Sequence, residues 1–383
     1  MNTKTDRKLA FAAALLLGCV LPAAAGGPGS AGMQALKSDM SPRAAGMGGA
    51  FTAVADDIYT AEYNPAGLGR LYVPEASAMY QSGFDDATTQ HLAFGMPLPF
   101  IGLAGLEKPS AALSLMLADA GKFNYRFISA DGSIVSSSLE AQKDLALGLG
   151  YGEKVYSGEA NLEGFDAKFD QYLGANVKYL RSTLLEDKKP PSTLAFDAGW
   201  LLAERNTGLS LGASVANYGG GLKYGTETTP LPSTLRVGLA WDRPTVMDQS
   251  ILLAADGVFY TEESLKSLRL GLEYRFQQMF CLRLGYRGAE DNTGMTMGFG
   301  LRYGDMSLDF ATGMGSEVYN ASQLAFSYRF SGVTVKEYRK KVKYRDAGEE
   351  KPRKAAPAKA VPAKRKPAAP AEKKKDSDFF WIY

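Results

Sequence analysis

From residue 74 to residue 330 apolar and polar positions alternate with period two, and the run Leu268-Arg269-Leu270-Gly271-Leu272-Glu273-Tyr274-Arg275-Phe276 shows it most plainly. Every second residue is apolar and the others are Gly, Arg or Glu, the pattern of a strand with one greasy face and one wet face. Residues 235–241, 282–287, 299–303 and 324–330 repeat it. The alternation predicts about fourteen strands, near 74–83, 88–96, 110–120, 142–151, 170–182, 193–204, 208–218, 233–243, 249–260, 266–277, 280–288, 294–303, 305–314 and 321–330. Most are longer than the usual globular strand of about five or six residues and match the length that crosses a bilayer at a tilt. The count is even, as bacterial barrels usually require.

The connections fit the same picture. From the sixth strand on, one set is brief: 205–207, 244–248, 278–279 and Gly304. The opposite set is longer, above all 219–232. Short periplasmic turns and longer outer loops are the habit of transmembrane barrels. Two early connections on the short side, 97–109 and 152–169, break this rule and point to additional elements or a specific role there. The last strand sets Leu324, Phe326, Tyr328 and Phe330 on its lipid-facing side, an aromatic ending that looks like a barrel-insertion signal although 53 residues follow it. Tyr274, Phe276, Tyr286 and Tyr303 suit interfacial girdles.

Composition divides the chain. Its net charge of +2 conceals 24 Lys/Arg against 33 Asp/Glu over residues 26–330 and 16 against 7 over 331–383. Residues 1–25 read as a secretory signal: Lys4, Arg7 and Lys8, then an apolar run to Leu21, then Ala23-Ala24-Ala25. The run Leu16-Leu17-Gly18-Cys19 also resembles a lipoprotein box. With the signal removed, Cys281 alone remains, in an alternating strand, and reads as a packed thiol. The expected organisation is therefore a signal (1–25), a plug (26–73), an all-β transmembrane antiparallel barrel (74–330) and a basic tail (331–383).

The plug is the stretch that is not a strand. Residues 41–70 hold Gly46, Gly48, Gly49, Gly67 and Gly69, the acids Asp56 and Asp57, and a turn at Asn64-Pro65-Ala66. Glycine and alanine at this density let backbones approach closely, and Pro65 cannot donate to a ladder. The runs Ala45-Gly46-Met47-Gly48-Gly49-Ala50, Val54-Ala55-Asp56-Asp57 and Asn64-Pro65-Ala66-Gly67-Leu68, ahead of about fourteen strands, resemble the FadL/PorV-type outer-membrane barrels. Residues 42–51 look closer to the PorV/PorQ branch. The resemblance implies a fourteen-stranded barrel with its N-terminal segment folded inward. For FadL-like members it implies that the lumen and a gap in the wall carry hydrophobic molecules such as long-chain fatty acids. For PorV-like members it implies docking or shuttling in protein export through a type IX secretion apparatus.

The inward positions collect charge: Arg236, Arg269, Arg275, Arg283, Arg287, Arg302 and Arg329, with Glu273 and Asp309. Arginine is a permanently charged fork suited to carboxylates, so these residues could hold the head of an acyl ligand. The plainer reading is that they pair with Glu273, Asp309 and the plug acids Asp56 and Asp57 and fix the plug in place.

Catalysis finds little support. His91 is the only histidine, no Cys/His set could hold zinc, and no nucleophile stands at a readable spacing, so neither enzyme activity, cofactor nor metal is expected. Residues 148–152 are glycine-rich without the lysine and helix of a phosphate loop. The tail from Ala347 to Lys375 is Ala/Pro/Lys-rich and expected to be an extended linker. It ends in Phe379-Phe380-Trp381-Ile382-Tyr383, which reads either as a docking peptide for a secretion-machinery or periplasmic protein or as an arm drawn to anionic surfaces by charge. Nucleic acid fits the charge but not the compartment. The expected partners are outer-membrane lipid, a tail-bound protein and a hydrophobic ligand.

Overall fold

The computed structural model describes residues 26–332, apart from 28, 84–85, 163–164, 186–188, 246–247, 264, 290–292 and 316–320. The signal segment with Cys19, and the tail with Phe379, Phe380, Trp381, Ile382 and Tyr383, lie outside the described residues.

Eighteen strands follow one another: β1 (Glu75–Ser82), β2 (Thr88–Pro97), β3 (Ser110–Asp119), β4 (Lys122–Ile128), β5 (Ile134–Glu140), β6 (Gln142–Leu162), β7 (Phe165–Leu184), β8 (Ser192–Glu204) and β9 (Leu209–Gly219), then β10 (Leu222–Tyr224), β11 (Glu227–Thr229), β12 (Thr234–Pro244), β13 (Ser250–Tyr260), β14 (Leu265–Phe276), β15 (Phe280–Ala289), β16 (Gly294–Tyr303), β17 (Met306–Gly315) and β18 (Ser322–Arg329). Fourteen of them close an antiparallel barrel, and β1 pairs with β18 from Glu75↔Arg329 to Ser82↔Ser322. The other four make the hairpins β4–β5 and β10–β11.

The expected strands are all present, with three differences. The hairpins β4–β5 and β10–β11 went unpredicted. The segment 152–169, read as a long connection, is instead the far end of β6 and the start of β7, which run on together past their neighbours. A bulge between Lys154 and Tyr156 interrupts the alternation there, which hides the strand from a period-two reading. The connection 98–109 does stand apart as a loop, tied to this extension by Lys154 Nζ and Glu107 Oε1 at 2.7 Å.

The wall has the sidedness that alternation predicts. Leu268 is 52% exposed and the adjacent Arg269 2%. Every wall strand exposes at least one leucine, phenylalanine or tyrosine, while charged positions such as Lys178, Asp256, Arg269, Glu273 and Arg283 are buried. An outer belt of this kind is stable only against lipid, and closure leaves no unpaired edge there. No helix among the described residues is long and apolar enough to cross a membrane; the crossing elements are strands.

Inside lies a compact segment with two short α-helices, α1 (Pro42–Gly46) and α2 (Thr60–Tyr63), and the 3-10 turns Gln34–Lys37 and Pro65–Arg70. Its core of Ala44, Met47, Phe51, Ile58 and Leu68 is fully buried. The two barrel ends are distinguishable: Phe330 N donates to Pro74 O at 2.9 Å, so both barrel termini share the short-turn end. The opposite end is called the loop end below.

Candidate functional site

The inner segment enters at the loop end, where Gly26 N donates to Glu262 O at 3.0 Å and Gly32 N to Pro230 O at 2.8 Å. It leaves at the short-turn end, where Ser110 Oγ donates to Leu71 O at 2.9 Å. Between these points it touches strands all round the circle. Gln323 of β18 donates to Asp39 O, Gly48 N to Thr296 of β16, and Phe51 N and Thr52 N to Asp256 of β13. Ser214 of β9 donates to Tyr63 O, and Asn64 Nδ2 to Trp200 O of β8. A segment bonded to strands on every side fills the lumen.

Local chemistry explains its shape. Ser41 caps α1, with Pro42 in the first turn where its missing N–H costs nothing. Asn64 and Pro65 start the second 3-10 turn in the same manner, Asn64 Oδ1 accepting from Ala66 N at 3.2 Å. Gly48 and Gly49 end α1 with φ of +67° and +85°, a conformation glycine adopts without strain. Gly67 is packed against Ala55.

The wall makes room through its own glycines. A Cβ on Gly152 would sit 2.7 Å from Pro65 O, and one on Gly271 2.6 Å from Met47 Cβ. Gly174 and Gly199 face Pro65, Gly212 faces Thr52, and Gly285 faces Gly48 in the same way. In sequence these positions read as part of a wet face. They are seats for the plug backbone.

Among the described residues buried charge ties the plug to the wall strands at three places, and Lys37 of the plug also pairs with the buried Glu263 between β13 and β14 at 2.5 Å. At the first, Arg43 spans plug and barrel: Nε to Glu273 Oε2 at 2.9 Å and Nη2 to Glu273 Oε1 at 3.0 Å, with Nη1 to Asp56 Oδ1 at 2.5 Å and Asp57 Oδ2 at 3.1 Å. Glu273 also receives Arg283 at 2.6 Å and has Arg275 at 3.6 Å, and Arg283 continues to Asp309 at 2.7 Å. Arg275 also pairs with Asp242. At the second, Asp39 receives Arg269 at 3.1 Å and Arg287, and Arg269 reaches Tyr260 Oη at 3.1 Å. At the third, Glu62 receives Lys178 at 3.0 Å and Ser114 Oγ at 2.7 Å, with His91 Nε2 at 3.5 Å.

The expected pairing is thus corrected. Asp56 and Asp57 do not meet the wall arginines directly, because Arg43 of the plug takes them both. The plug acid facing Arg269 and Arg287 is Asp39, which lies before the glycine-rich stretch and carried no motif. Of the other lumen residues, Arg329 pairs with Glu75 at 3.2 Å, and Arg236 stacks on Tyr63, its Nε and Nη1 without a hydrogen-bond partner among the described residues. Arg302 lines a small polar cavity of about 20 Å³ with Arg43, Asp57 and Arg329. Ser114 Oγ donates to Glu62 at 2.7 Å, and His91 Nε2 stands 3.5 Å from the same carboxylate oxygen.

Titration of the plug acids follows their partners. Burial pushes Asp39 up, but Arg287, Arg269 and Arg236 outweigh it and hold the carboxyl below its usual range. Burial likewise opposes Arg43 at Asp56, where Arg43 prevails and brings the pKa down to about 2. At Asp57 burial prevails and the pKa is raised. At Glu62 burial is overcome by Lys178 and His91, and the pKa falls well below normal.

Above the plug a vestibule of about 710 Å³ opens at the loop end. Thr88, Thr312 and Ala118 are among its wall residues, and Asp39, Arg269 and Arg287 form its floor. Each wall strand is paired on both sides, so the gap in the wall that the resemblance implies is not present among the described residues.

Closed wall, lipid-facing belt and ion-paired plug define a plugged outer-membrane β-barrel. A solved structure shares its fold, and others resemble it more loosely. The toluene transporter TbuX of Ralstonia pickettii matches with a TM-score of 0.50 at 15% identity, over 76% of this chain and 98% of that one. The monoaromatic hydrocarbon channel CymD gives 0.48 at 10% identity, over 76% and 97%. A TodX monoaromatic hydrocarbon channel mutant gives 0.46 at 12%, over 76% and 97%. No protein-family model and no curated protein matches the chain.

Proposed function

We propose that this chain is a non-enzymatic outer-membrane conduit for small hydrophobic molecules, which enter its lumen from the loop end and pass when the plug shifts. The loop end faces outward in this reading, in keeping with the short turns at the other end. One observation carries it: a vestibule of about 710 Å³ runs from the loop-end mouth to the plug and ends on two arginines. That volume lies within the range of small-molecule sites, about 300–1,000 Å³. The fold shared with a toluene transporter supports the same direction. Retention of tritiated decanoate or toluene by the detergent-solubilised protein tests it. Retention should be lost in Ala118→Trp, which fills the vestibule, and a protein that retains neither probe contradicts the proposal.

A second reading, docking or shuttling in protein export as in the PorV/PorQ branch, is favoured by the unbroken wall and the ion-paired tethers of the plug. It assigns the tail to a protein partner. Pull-down with the full chain and with a chain truncated after Ser331 separates the two readings, since only docking requires a tail-dependent partner.

A further inference from the structure

The lipid-facing side of the wall carries a furrow. Strand β1 lies between β18 and β2, and the two ladders fix what stands beside each of its outward positions. Ala76 lies between Tyr328 and Phe94, Ala78 between Phe326 and Leu92, and Tyr80 between Leu324 and Gln90. Ala78 is exposed, as are the larger Tyr80, Leu92, Phe94, Leu324 and Phe326. Two outward alanines in succession, with large side chains on both flanks, leave a channel along β1 about 13 Å long from Ala76 to Tyr80, at about 3.3 Å per residue. It forms a cavity of about 350 Å³ with Ala78 and Met79 in its floor.

The two ends of the furrow differ. Towards the short-turn end it is bounded by rings: Phe330 meets Phe94 edge-on at 6.4 Å and Tyr328 at 4.7 Å between centroids. Towards the loop end stands Gln90, an exposed amide on the same face of β2 as Leu92 and Phe94. Strand β2 begins at Thr88, two residues further on, so the amide sits at the rim of the apolar belt. Its NH2 group donates and its carbonyl accepts, and an amide turned to hydrocarbon is costly unless it is hydrogen-bonded.

We propose that the furrow along β1 holds one acyl chain of a membrane lipid from the leaflet next to the loop end, the carbonyl that links chain to headgroup accepting from Gln90 Nε2. Lipid tails are as apolar as leucine, so apolarity alone prefers no part of the wall; close contact does. A chain laid in the furrow touches protein on three sides, and an empty furrow forfeits those contacts. Strands β18 and β2 stand about 9–10 Å apart across β1, at 4.7–4.9 Å per strand spacing, which leaves room for a single chain between their side chains. This lipid belongs to the outer wall and not to the lumen, whatever passes through the vestibule.

Native mass spectrometry tests this on the full chain, released from detergent micelles that carry dimyristoylphosphatidylethanolamine. The parent protein should keep one lipid at collision energies that strip the rest. Ala78→Phe, which fills the furrow, should lower that retention several-fold, and Gln90→Leu should lower it as well. Ala175→Phe, the same change at an exposed alanine of β7, should leave it unchanged. No retained lipid, retention unaffected by Ala78→Phe, or an equal loss in Ala175→Phe overturns the proposal; retention unaffected by Gln90→Leu overturns the contact at the amide. A second measurement needs no variant. Phosphatidylethanolamine with a diazirine in mid-chain, photolysed in vesicles holding the parent protein, should attach chiefly to β18, β1 and β2, and labelling spread evenly round the belt overturns the furrow as a site.

Discussion

Arg43 of the plug and Glu273 of the wall meet through two near-parallel hydrogen bonds of 2.9 and 3.0 Å, both side chains buried. Removing one partner strands a charge in the lumen, which costs about 3–5 kcal/mol for buried pairs. Arg43→Ala is expected to lower stability by that order and to expose residues 26–73 to protease. Arg43→Met paired with Glu273→Leu should recover much of the loss. Urea unfolding with proteolysis of the plug reads both.

Neighbouring acids are expected to behave oppositely. Asp56 has a folded pKa of about 2 against 3.8 in the free state, so it stabilises above the free-state value and loses that contribution as the pH falls through the folded one. Asp56→Asn should loosen the plug by about 1–2 kcal/mol near neutral pH and converge on the parent protein as the pH drops from about 5 to about 2. Asp57 is raised, so its charge opposes folding at neutral pH, and Asp57→Asn should leave the plug as tight or tighter. Protease protection of the plug across this range checks both.

The wall glycines give a steric prediction. Gly174 packs directly on the Pro65 carbonyl, so Gly174→Val should displace the second 3-10 turn and cost about 1–3 kcal/mol. Gly27→Ala, with open space around it, is the control. Planar-bilayer conductance should rise for the first and not the second.

Replacing Arg269 and Arg275 with Gln separates plug anchoring from ligand holding. Arg269 is buried against Asp39, whereas Arg275 leans on Asp242 and Glu273. The expected result is a plug made protease-sensitive by Arg269→Gln and little changed by Arg275→Gln. Lost ligand retention with an intact plug would point instead to a ligand role for Arg269.

Much of this was legible in sequence because a two-sided strand leaves a period-two trace: Leu268, Leu270 and Leu272 announce the lipid side, and Arg269 and Glu273 the lumen. Other features leave no such trace. The extension of β6 and β7 is masked by its bulge, and β10–β11 are three residues each. Gly174 and Gly271 look like any polar-side position until the plug is seen against them. Asp39 is a lone acid in a run without a motif, and its role comes from Arg269 and Arg287, about 230 and 248 residues away.

The most direct measurement is uptake of tritiated decanoate and toluene by intact cells whose outer membrane carries the full-length protein, against cells without it. Uptake of at least one probe several-fold above the control, reduced by Ala118→Trp, is the expected result. Uptake equal to the control for both probes, with the protein present in the outer membrane at comparable amount, would contradict the conduit.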